Sequence, residues 1–219
     1  MRLRLGVAVV LAALSSARGA ALAAAPTAPT AVDAAVREAA LQGNLEILRA
    51  RGPAVLPQLV SLYRESRPHE RAAVARAFYG LGWKSEEAKQ VLLADLATQD
   101  VELRLQAQWA LGRVSADPEV VDRLFANMEK DPNLLFRDKS ACALANDQIH
   151  LDPQARLAMM RRVVERLESS DPETRSLAVR ILQVWTGQAK GFLPGAPPEH
   201  RAAAVARWRL WLVDYERSM

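Results

Sequence analysis

Asp100-Val101-Glu102-Leu103-Arg104-Leu105-Gln106-Ala107-Gln108-Trp109-Ala110-Leu111-Gly112 holds a pattern that the chain uses four times. Ala107 and Leu111 follow Arg104 at three and seven positions, the spacing of one face of an α-helix. The arrangement recurs around Arg71, Arg137 and Arg175 in RPHERAAVARAFYGLG, NLLFRDKSACALANDQ and DPETRSLAVRILQVWT. Three residues after each arginine stands a small residue or valine (Val74, Ala107, Ser140, Ala178), and seven after it a large apolar one (Phe78, Leu111, Leu144, Leu182). The four arginines are 33, 33 and 38 residues apart, a period that marks stacked units rather than one long helix.

A second amphipathic run precedes each window. Apolar pairs stand twelve residues before the arginine at Leu59-Val60, Leu92-Leu93 and Val163-Val164, and one further back at Leu124-Phe125. Asp117-Pro118, Asp152-Pro153 and Asp171-Pro172 have the form of helix starts, with Asp as N-cap and Pro at the first helical position. Each unit is therefore expected to be two antiparallel helices, over about 52–83, 84–115, 117–149 and 152–187. No segment alternates apolar and polar residues for long enough to predict a strand, and the abundance of Ala and Leu favours helix. The expected fold class is all-α, an α-solenoid of about four helical hairpins. A helical N-terminal cap precedes them from residue 32, a C-terminal cap follows at 197–216, and the single domain runs over 32–217.

The first residues read as an address. Arg2 and Arg4 precede the apolar run from Leu5 to Leu14, and small residues follow, with small-x-small cleavage positions after Gly19 and after Ala23. Residues 1–23 are thus expected to be a signal peptide and residues 24–31, AAPTAPTA, a Pro/Thr/Ala linker. The expected location is the periplasm or the exterior, with no stable membrane insertion after cleavage. Losing Arg2, Arg4 and Arg18 would leave 26 basic against 25 acidic residues. That near-neutral balance removes the electrostatic case for nucleic acid as a partner. The single Cys142 forms no intramolecular disulfide, so stability must come from packing.

The repeated windows resemble the HEAT-repeat family, and more narrowly the HEAT-like repeat of the phycobilisome lyases. Residues 100–112 carry the likeness best, and Asp171 to Leu182 come next. It spans about residues 52–186, with Arg67 and Asn133 standing where the motif has Asp. The resemblance implies a hydrogen-bonded ladder between repeats, in which Asp100, Arg104, Asp171 and Arg175 are structural. It also implies an exported bacterial HEAT-repeat domain protein: a non-catalytic protein-binding or scaffold module of the bacterial envelope. The other classes to weigh are a self-assembling structural protein and a lyase- or glycosylase-type HEAT-like enzyme.

No catalytic, cofactor or metal constellation emerges from the chain. His69, His150 and His200 are scattered, and there is no nucleophile elbow, phosphate loop or Cys-x-x-Cys. Binding chemistry is better represented. On the second helix of each unit, positions two, five and nine after the arginine point away from the apolar stripe at 100° per residue. They place Arg76, Trp109, Arg113, Lys139 and Arg180 along one face with no acid among the twelve positions. An exposed Trp among cations has the composition of a protein-binding hot spot, for which an acidic partner is the natural match. The last helix carries a stripe of Ala204, Val205, Trp208, Trp211, Leu212 and Tyr215, with Arg207 and Arg209 at its rims. A second stripe, Ala203, Ala206, Leu210 and Val213, lies opposite. Leu210 and Val213 are therefore a candidate second contact stripe: either shallow and tolerated in water, or covered by a partner or by a second copy in a homo-oligomer.

Overall fold

The computed structural model describes residues 31–219; the expected signal peptide and all but the last residue of the linker lie outside that range. The described chain is all-helical. Its helices are α1 (Ala34–Gln42), α2 (Leu45–Ala50), α3 (Leu56–Glu65), α4 (Pro68–Leu81), α5 (Glu86–Ala94), α6 (Val101–Val114), α7 (Pro118–Lys130), α8 (Leu134–Asn146), α9 (Pro153–Arg166), α10 (Pro172–Thr186) and α11 (Pro198–Ser218). Single 3-10 turns at Gly52–Val55 and Asp95–Ala97 adjoin α3 and α5.

Local chemistry explains where these helices begin and end. Side chains of Asp33, Asn44, Ser85, Asp100, Asn133, Asp152 and Asp171 accept hydrogen bonds from free amides of the first turns. Pro68, Pro118, Pro153, Pro172 and Pro198 open their helices, where a missing N–H costs nothing. Gly187 closes α10 at φ 70°, the left-handed conformation that favours glycine. Asp117 departs from expectation. It precedes α7 but makes no capping bond through its side chain; its carboxylate is taken by the buried Lys89 of α5 instead.

Within each consecutive pair the helices pack on one another: α3 on α4, α5 on α6, α7 on α8 and α9 on α10. Between pairs, α4 lies against α6, α6 against α8 and α8 against α10, while α3 meets α5 and α9 meets α11. Long side chains connect α7 to α9. Arg162 and Arg166 lie over the Phe125 ring and pair with Asp122 and Glu129. One continuous apolar core runs from Val36 to Leu212. The residues three and seven after the four arginines are all fully buried, seven of them in this core and Ser140 beside it.

The four arginines join neighbouring pairs, though not always through the expected acids. Arg71 donates to Asp95 at 3.1 Å and to the Ser66 carbonyl, and the Tyr63 hydroxyl donates to the same carboxylate at 2.7 Å. Arg104 pairs with Asp131 while lying 3.8 Å from the centre of the Phe136 ring. Arg137 binds Asp171, Thr174 Oγ1 and the Met128 carbonyl together. Arg175 has carbonyls only: Ser169, Ser170 and, from the loop before α11, Pro194. Asp171 therefore takes the expected structural role, but Asp100 does not bridge. The 3-10 turn after α5 places Asp95 beneath Arg71 and leaves Asp100 to cap α6 through Leu103 N.

Candidate functional site

Three of the second helices, α4, α6 and α8, lie side by side and line a common groove of about 700 Å³, with Arg76, Trp109 and Cys142 there from their fifth positions. Trp109 of α6 is at its middle, between Arg76 of α4 and Lys139 of α8. Tyr79, Gln106, Cys142 and Asn146 complete the walls. One end is formed by Leu45, which leans from α2 onto Gly80. A β-carbon at Gly80 would collide with the leucine side chain, so the missing side chain is what lets α2 close the groove. Asp147, at the end of α8, forms part of the floor.

The structure thus gathers Arg76, Trp109 and Lys139 of the five expected binding residues. Arg113 lies at the edge through Asp147, and Arg180 adjoins through Asp138. The face is not a bare basic one. Arg76 donates to Glu102 at 2.6 Å, Lys139 pairs with Asp138 at 3.0 Å, Arg180 takes the other oxygen of Asp138, and Arg113 meets Asp147 at 3.3 Å. These acids lie one or two positions beside the sampled ones or at the helix end. Their proximity was visible in the Asp138-Lys139 dipeptide and in Glu102, two residues before Arg104. Positions two after the arginine also differ from expectation. Ala73 and Leu177 are buried where one second helix packs on the next, Gln106 keeps only a small exposed surface in the groove wall, and Lys139 alone of the four reaches the groove as a cation.

Two features give the groove a shaped floor. The Arg113 guanidinium lies 4.5 Å from the centre of the Tyr79 ring and donates to its hydroxyl oxygen at 3.2 Å. Burial pushes the Asp147 carboxyl above its ordinary value, against the lowering effects of Tyr79 and Arg113. Burial also raises the Tyr79 hydroxyl, with the Asp147 charge adding to it. Behind the floor, Gly112 lets the turn after α8 come close. A β-carbon there would stand 2.7 Å from the Asp147 carbonyl oxygen. Cys142 lines the groove, and burial pushes its thiol up, which reduces the thiolate a nucleophile needs.

Histidine has a structural role at one position. His150 places Nε2 2.9 Å from the carbonyls of both Gly82 and Arg113, tying the turn before α9 to the ends of α4 and α6. Asp152 beside it caps α9 through Ala155 N. Among the described residues, no group of three or more His, Cys, Asp or Glu converges in metal-binding geometry, and no helix is long and apolar enough to cross a membrane.

The last helix has two faces. Ala204, Val205, Trp208 and Leu212 are buried against the body, and Trp208 Nε1 donates to the Ala189 carbonyl at 3.2 Å. Arg207 and Arg209 are rim residues: one donates to the Lys190 carbonyl at 2.8 Å, the other to Glu168. Leu210 and Val213 are 68% and 43% exposed on the far side. Comparison with family models, with curated proteins and with solved structures gave no match for the chain.

Proposed function

We propose that the chain is an exported α-solenoid, a non-catalytic protein-binding module of the bacterial envelope that docks a partner segment in the Trp109 groove. The helix contacts support the solenoid reading. Four hairpins follow one another, the second helices form one file, and each of the first three arginines reaches an acid of the next hairpin. α1 and α2 cover one end of this array and α11 the other. Such an array builds an extended surface without needing a catalytic pocket.

The observation that carries the binding role is the groove itself. A part-exposed Trp with apolar neighbours on either side is flanked by a cation at each edge. An extended segment with an apolar or aromatic anchor would seat that anchor beside Trp109. Acidic residues on either side of it would compete with Glu102 for Arg76 and with Asp138 for Lys139. Exposed pairs of that kind are worth only about 0–1 kcal/mol, so exchanging them on docking costs little.

Cys142 is the chain's only cysteine and lines the groove, which makes a site-specific test direct. A thiol-linked photo-cross-linker at Cys142 is expected to trap a discrete protein from an envelope extract. The same reagent on a Cys142→Ser, Gln154→Cys chain, carrying it on the exposed start of α9, should not. Equal adducts from both positions, or none from Cys142, would count against the groove.

A further inference from the structure

We propose that two copies of the chain pair through α11, the helices running antiparallel about a twofold axis beside position 208. This is independent of what the groove binds. The observation is the far side of the 21-residue helix. Glu199, Ala203, Ala206, Leu210, Val213 and Arg217 recur at intervals of four, three, four, three and four residues. That is the apolar seam of a helix-to-helix contact, with a charge at each end. All six are exposed, and on the helical wheel they lie opposite the buried Trp208.

The seam is complementary to itself in one orientation only. The interval pattern reads the same in both directions, so an antiparallel second copy meets it position for position. Glu199 then faces the partner's Arg217 at both ends. Ala203 faces the partner's Val213, and Ala206 faces the partner's Leu210. Each large side chain is set against a small one, which lets the helices approach closely, and each terminal charge meets its opposite. A parallel arrangement sets Glu199 on its own copy, Arg217 on its own copy and leucine on leucine. The charged residues flanking the seam are already engaged, Arg209 by Glu168 and Arg207 by the Lys190 carbonyl. Arg217 has only a 3.6 Å contact to Asp214, with both side chains largely exposed. One helix pair buries less than the roughly 1,600 Å² of a standard stable interface. The dimer is therefore reversible.

Sedimentation velocity on the purified full chain over a micromolar concentration series tests this. The expected result is a mass that rises from monomer to dimer, and a monomer throughout for Leu210→Glu. Glu199→Arg and Arg217→Glu should each weaken association at least tenfold, because each sets like charges at both ends. Mixing these two single variants should restore a dimer, since every terminal pair is then opposite in sign. Because all substituted positions are exposed, circular dichroism should match the parent chain in every case. A monomer at all concentrations, a dimer indifferent to Leu210→Glu, or a mixture no tighter than the separate variants would overturn the proposal.

Discussion

At the residue scale the molecule depends on a few arginines whose guanidinium forks join three partners at once. Arg137 is the fullest example, reaching Met128, Asp171 and Thr174 from one buried side chain. Arg137→Ala is expected to cost about 2–4 kcal/mol in denaturant unfolding. That is somewhat below a fully buried pair, because Asp171 keeps part of its surface in water. Arg137→Lys should recover only a fraction, since an ammonium cannot span the same three acceptors. The Arg137 side chain holds the Asp171 carboxyl far below the ordinary carboxylate range, with Thr174 and the amides of Thr174 and Glu173 adding to the effect. A depressed folded value stabilises the fold above the unfolded value of 3.8 and loses that contribution as pH falls through the folded one. Asp171→Asn keeps a capping side chain, so the Tm gap to the parent should be constant above about pH 5 and shrink below about pH 4. Ser140 gives a prediction of opposite sign. Its hydroxyl is buried without a hydrogen-bond partner, so Ser140→Ala should stabilise by about 1 kcal/mol.

At the scale of elements, the helices were legible from cap residues, opening prolines and the apolar period, because those signals act within a few residues. The buried stripe of α11 was legible for the same reason. Trp208 is fully buried where the wheel put it, and Arg207 and Arg209 sit at its rims. Trp208→Ala is expected to cost about 3–5 kcal/mol by leaving a cavity between α11 and the body. The acids that neutralise the groove were less legible, since Glu102, Asp138 and Asp147 reach it from positions that a single helical face does not sample. Leu45 was not legible at all, because its approach to Gly80 joins elements far apart in sequence. That Asp95 rather than Asp100 meets an arginine of the neighbouring pair was hidden for a related reason: a single 3-10 turn, which periodicity does not resolve, sets which carboxylate lies beneath Arg71. Gly112 shows the same kind of long-range demand. Gly112→Ala would push against the Asp147 carbonyl and should destabilise by about 1–3 kcal/mol.

At the scale of the whole molecule, the file of second helices brings Trp109 into the groove that we propose docks a partner. Trp109 is only partly buried and packs at the edge of the core, so Trp109→Ala should leave the helical fold intact. Its removal takes away the one large aromatic surface in the middle of the groove, where truncation of a hot spot costs at least about 2 kcal/mol of binding. The most direct measurement is affinity capture from envelope extract with the parent chain and Trp109→Ala side by side, quantified by mass spectrometry. At least one protein held by the parent chain is expected to fall tenfold or more on the variant. Recovery of every captured protein in equal amount by a folded Trp109→Ala chain would contradict the groove as the binding site.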